Sequence, residues 1–257
     1  MAEKGGAQWM PLPQADSSCP KGLEYLTQVD QLLVKQKVEL LEALTGFETA
    51  NKYVVANTLG QQVYFAAEKS GCCERQCCTL SRAFEIHIID NANQTVMVFK
   101  RPRHFCTNSC MGCTSSRVTV EAPPGNVIGY VQTNTFCCKP TYTIEAPDLS
   151  PVLKITSPCC GCGCSCSPKF AVQTLTGEEI GCVQKKFSGV VKEAFTDADN
   201  FNITFPMDLD VKVKASLLAS LFLIDMLHFE QSGSGAGDTG EVAAAEGLCC
   251  LLTLLCN

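Results

Sequence analysis

A mostly β fold is predicted: a closed barrel of about twelve strands around one hydrophobic helix near the C-terminal end. Three observations lead there. Strand-like segments recur along the chain, separated by short clusters of Gly, Pro, Asn and Asp. One helix-length apolar run follows them, from Val211 to Phe229. That run is apolar on nearly every face, as expected of a helix surrounded by protein. A sheet closed around it has no exposed edge, and twelve strands enclose an interior too wide for side chains alone.

The elements follow in order. Residues 1–21 hold Pro11, Pro13 and Pro20 with few strand formers, and read as a short disordered arm. They lack a charged segment followed by an apolar one, so no secretory signal is expected. Val34, Gln36, Val38 and Leu40 alternate with Lys35, Lys37 and Glu39, the period-two pattern of a strand. Hairpins are predicted for 52–57 with 62–67 about Leu59-Gly60, and for 84–89 with 95–100 about Asp90-Asn-Ala-Asn93. Three more pair 117–121 with 127–132 about Pro123-Pro-Gly-Asn126, 141–145 with 152–156 about Pro147-Asp148, and 169–174 with 179–185 about Thr176-Gly177. Each reversal carries the residues a turn requires. A last strand covers 201–205.

The apolar run at ~1.5 Å per residue is roughly 28 Å long, barely a hydrocarbon thickness. Lys212 and Lys214 lie at its start and Asp225 and His228 near its end, so only 215–224 is free of charge. A buried core helix is expected, with Ala215, Leu218, Ala219, Phe222 and Ile224 packed inside the barrel. The domain is placed at 22–231. Residues 232–257 read as a flexible Gly/Ser linker and an apolar tail carrying Cys249 and Cys250.

Just before the helix, an EF-hand-like frame sets Asp197, Asp199 and Asp208 at ligand positions 1, 3 and 12, with backbone oxygens at Phe201, Ile203 and Phe205. So few carboxylates predict weak calcium binding. A second reading, compatible with the first, is an acidic turn, then a strand through Phe201, Ile203 and Phe205, then a helix capped by Asp208 or Asp210.

The chain resembles the phospholipid scramblase family. The resemblance rests on Gly22-Leu-Glu-Tyr-Leu26, Leu40-Leu-Glu-Ala-Leu-Thr-Gly-Phe-Glu-Thr49, Val63-Tyr-Phe-Ala-Ala-Glu68, Glu121-Ala-Pro-Pro-Gly125, Glu193-Ala-Phe-Thr-Asp-Ala-Asp-Asn-Phe201, Phe205-Pro-Met-Asp-Leu-Asp-Val211 and Phe222-Leu-Ile-Asp225. It implies a tubby-like barrel and calcium-dependent, ATP-independent movement of phospholipids between leaflets. It also implies a calcium loop at 197–208 and palmitoylation near Cys106, Cys110 and Cys113. A lipid translocator without bond-making catalytic residues is expected, lipid-anchored to the cytoplasmic face of the plasma membrane, with some cytoplasmic or nuclear pool.

The nineteen cysteines cluster. With no signal expected, a disulfide framework is disfavoured. Zinc at Cys110-x-x-Cys113 or Cys159-Cys-Gly-Cys162, inert thiols, and S-acylation are the three readings. The acylation set is Cys106, Cys110 and Cys113, with Cys159, Cys160, Cys162, Cys164, Cys166, Cys249 and Cys250 as further positions. Several acyl chains anchor firmly where one does not.

Other chemistry is sparse. His87, His104 and His228 form no recognisable triad, and the sequence has no phosphate-binding loop or dinucleotide fingerprint. A net charge of -6 disfavours a general nucleic-acid binder. Lys100-Arg101-Pro-Arg103 and Lys185-Lys186 are local basic groups suited to anionic lipid headgroups. Besides lipid translocation, two functions fit: a palmitoylated adaptor of the inner leaflet, and a phosphoinositide-binding module.

Overall fold

The computed structural model describes residues 8–14, 19–37, 50–70, 83–102, 116–134, 140–158, 168–186 and 200–229. A short 3-10 helix, Glu24–Gln28, precedes strands β1 (Gln31–Lys37), β2 (Lys52–Ala56), β3 (Gln62–Lys69), β4 (Phe84–Ile89), β5 (Thr95–Arg101) and β6 (Arg117–Glu121). Then come β7 (Val127–Asn134), β8 (Thr141–Glu145), β9 (Pro151–Thr156), β10 (Lys169–Gln173), β11 (Glu179–Lys186), β12 (Asn200–Thr204) and the helix α1 (Val211–His228). Each strand pairs antiparallel with the next. β1 pairs with β12, for example Val34 with Phe201, and closes the barrel.

The two rims of the barrel differ. One carries five turns of a single design. In each, the first residue's N–H bonds the carbonyl four residues on, and the fourth residue's N–H bonds back to the first in four of the five. The ladder shifts register beside each turn. In those four this is the pattern of a type I turn closed by a left-handed residue and a bulge, whereas the fifth has a cis Ala122–Pro123 bond and Asn126 N–H donates to Pro123 O. The left-handed position is Gly60, Asn93, Gly125, Leu149 or Gly177. The other rim carries the long connections. The strands therefore set a turn rim, where β12 leads into α1, and a loop rim, where α1 ends.

α1 lies along the barrel axis, and its side chains join those of the strands in one buried core. Ala215, Leu218, Ala219, Phe222 and Ile224 are all buried, as the apolar pattern predicts. Gly129 of β7 permits a close approach: a Cβ there would lie 2.9 Å from Ser216 Oγ. Asp210 is the N-cap, its Oδ1 accepting from Lys212 N at 2.7 Å. No helix among the described residues is long and apolar enough to cross a membrane.

Part of the arm expected to be disordered is packed. Trp9 bridges Gln62 beside β3, Met10 N donates to Gln62 O at 2.8 Å, and Met10 is buried. The backbone ladder orders these residues despite their proline content. The tail, with Cys249 and Cys250, lies outside the described residues.

Candidate functional site

The core helix carries polar groups along its length. Lys214 is fully buried, and its ammonium donates to Leu26 O at 2.9 Å, Val29 O at 2.9 Å and Met207 O at 2.7 Å. Three N–H bonds thus meet three carbonyls, and the Phe205 ring lies 5.2 Å from the nitrogen. Burial lowers the Lys214 pKa, against the opposing pull of Asp30 and Asp208. Lys214 fastens the start of α1 to the segment ahead of β1. It is a structural tie, where the sequence reading had only a charge bounding the apolar run.

The loop-rim end of α1 is closed by a second polar layer. Buried Asp225 accepts from Tyr53 Oη at 2.7 Å. Arg101 is only 2% exposed and donates to Ser116 Oγ at 2.6 Å and Met226 Sδ at 3.1 Å. His228 Nε2 lies 2.7 Å from Tyr142 Oη, with the Phe170 ring packed on the imidazole at 5.3 Å. Burial pushes His228 down to about 4 and Tyr142 well above the usual phenol range. The imidazole is therefore neutral and the phenol protonated, and one of the two donates to the other as the tautomer of His228 sets. Lys185 stands over the Phe229 ring at 4.4 Å, closing the mouth.

Two basic residues assigned to lipid headgroups are thereby corrected. Arg101 and Lys185 point inward, because each shares the strand phase of its inward neighbours, Phe99 and Val183. Lys100, the outward neighbour, is bound to Glu121 at 2.8 Å. Lys186 is exposed. Arg103 lies outside the described residues.

The proposed calcium ligands are divided by the fold. Asp197 and Asp199 lie outside the described residues. Phe201 and Ile203 are buried in β12, paired with β1 on one side and β11 on the other. Phe205 is buried, and its N–H donates to Asp30 O at 2.9 Å. Asp208 sits past the strand, at the turn rim. At ~3.3 Å per residue, the five-residue strand alone puts about 16 Å between its flanks. The paired residues of β12 therefore stand between Asp208 and the connection that holds Asp197 and Asp199. The strand and the helix cap both form, with Asp210 as the cap. Among the described residues no group of three or more metal-ligating side chains gathers.

Cys106, Cys110 and Cys113, and Cys159, Cys160, Cys162, Cys164 and Cys166, lie outside the described residues. Their connections still have defined ends: the first joins β5 to β6 and the second joins β9 to β10, both at the loop rim. The connections at that rim hold fourteen of the nineteen cysteines. The two described cysteines, Cys19 and Cys182, are free thiols.

Fold and site together define a closed β-barrel whose own helix is its core and whose cysteine-bearing connections leave by one rim. The chain matches the scramblase family over residues 10–231 and belongs to that family. It is 48% identical to phospholipid scramblase 1 of Mus musculus over 231 residues, covering 90% of this chain and 70% of that protein. Phospholipid scramblase 2 of Bos taurus is 47% identical over 225 residues, covering 87% and 76%. Phospholipid scramblase family member 5 of Homo sapiens is 40% identical over 238 residues, covering 90% and 88%. No solved structure gives a significant match.

Proposed function

We propose that this chain moves phospholipids between bilayer leaflets in response to calcium and without ATP. Membership of the scramblase family carries the reading, through relatives named phospholipid scramblases that align with nine-tenths of the chain. Calcium acts weakly at the Asp197 and Asp199 end of the β11–β12 connection, toward the millimolar end of known sites. Attachment comes from thioesters on Cys106, Cys110 and Cys113, with Cys159, Cys160, Cys162, Cys164, Cys166, Cys249 and Cys250 as further positions.

One observation favours a second reading. α1 and the strand side chains fill the barrel as one core, so the described residues offer a lipid headgroup no polar route along the axis. A lipid-anchored adaptor on the inner leaflet needs no such route.

Reconstitution of the full chain in liposomes with a leaflet-selective lipid probe separates the two. The translocator reading expects probe exchange that accelerates as calcium rises to millimolar levels, and an Asp199→Ala variant that folds but ignores calcium. No acceleration by the wild type at any calcium level would leave the adaptor.

A further inference from the structure

The exposed large apolar side chains of this barrel gather on one rim. Of the five among the described residues, Leu59, Leu149, Leu175 and Met207 stand at the turn rim. They lie on consecutive connections around it: β8–β9, β10–β11, the end of β12, and β2–β3. The remaining turns, 90–94 and 122–126, carry none. Acidic side chains alternate with these tips. Asp148 precedes Leu149, Glu178 closes the turn of Leu175, and Asp208 follows Met207, all of them exposed. Asp30, ahead of β1, and Asp210, at the start of α1, are exposed on the same arc. Lys21 and Lys212 offset them only in part. Inside the arc a cleft of about 440 Å³ opens beside the start of α1, lined by Met207, Leu209 and Val211 together with Asp210, Lys212 and Cys19. Burial and the charges of Glu24 and Asp210 push the Cys19 thiol up, so this wall of the cleft stands in a negative potential.

We propose that this arc docks a basic amphipathic helix of a partner protein, with its apolar face on the tips, one apolar side chain in the cleft and its basic residues against the acids. Spacing favours a helix. Neighbouring turns are two inter-strand distances apart, about 10 Å. Positions i and i+7 of a helix are separated by nearly the same ~10.5 Å. Charge favours a basic partner over an anionic leaflet or a nucleic acid, both of which the acids repel. An apolar anchor in a cleft, ringed by polar contacts, is the arrangement that carries binding energy in such grooves. The proposal stands apart from the lipid readings above, because the cysteine-bearing connections start from the opposite rim.

The probe is a short fluorescent peptide of Leu and Lys, with Leu at i, i+3, i+4 and i+7, titrated with the purified full chain. A peptide of the same composition in scrambled order should bind at least about ten-fold more weakly, and one of Leu and Glu should not bind. Leu149→Gly, Leu175→Ser and Met207→Ser together should weaken binding of the ordered probe at least about ten-fold, with a thermal melt no lower than the wild type's. Asp148→Asn, Glu178→Gln and Asp208→Asn together should weaken it about five-fold in low salt and little in high salt. Glu39→Gln, Glu42→Gln and Glu48→Gln, in the β1–β2 connection, remove the same charge away from the arc and should change it less than about two-fold.

Equal binding of the ordered and scrambled peptides would reduce the effect to net charge and overturn the proposal. Equal losses in the two acidic triples would do the same. A tip triple that binds the probe like the wild type would overturn it as well. Failure of the ordered peptide to bind would also overturn it. In that case, self-association abolished by the tip triple would assign the arc to a second copy of the chain, and binding to phosphatidylcholine vesicles abolished by the tip triple would assign it to a bilayer.

Discussion

Leu149 holds φ at +67°, the position that glycine occupies in three of the four sister turns and Asn93 in the other. A branched side chain is strained there by roughly 1–2 kcal/mol, while glycine's extra freedom when unfolded costs about 0.5–1 kcal/mol. Leu149 is exposed, so little packing is lost on removing it. Leu149→Gly should therefore stabilise the domain by up to about 1 kcal/mol, read from the urea midpoint. His228 works through pH. Its folded pKa of about 4 lies below the ordinary 6.5, so the unfolded chain takes the proton first. The stability tied to the neutral ring is complete above pH 6.5 and is lost as pH falls toward 4. With its partial exposure, the loss should be roughly 2–3 kcal/mol. His228→Phe keeps the ring packing and should flatten that part of the stability–pH curve. Urea titrations of both proteins at pH 7, 5.5 and 4 measure the difference.

At the scale of elements, α1 is held at its start by Lys214. Lys214→Met keeps the apolar stem but leaves three buried carbonyls without their donor, which should cost about 3–5 kcal/mol. Lys212→Met, two residues away and exposed, should stay within about 0.5 kcal/mol. Chemical unfolding of the pair tests the tie. This contrast was not legible in the sequence, because a lysine next to an apolar run reads the same whether it faces water or three carbonyls. The strands were legible: alternation and turn residues are local signals, and all five hairpins form where those signals fall. The inward aim of Arg101 and Lys185 was also present in the strand phase, masked by reading each basic cluster as a surface patch. The calcium frame was read from spacing alone. Three aspartates matched a loop template by spacing, while the period-two run of Phe201, Ile203 and Phe205 was already that of a strand.

At the scale of the molecule, barrel closure depends on β1 meeting β12, a pairing across most of the chain that no local pattern announces. Closure also sorts the chain. Tight turns go to one rim and the cysteine-bearing connections start from the other, a division that appears only once strand directions are known. The central claim is that α1 is the core of this barrel rather than a membrane span. Hydrogen exchange on the purified full chain, in detergent-free buffer with and without phosphatidylserine vesicles, tests it most directly. Amides of 211–228 should exchange as slowly as those of the central strands without lipid, and vesicles should not change them. Rapid exchange of that segment in buffer, with protection appearing only when vesicles are added, would contradict the account.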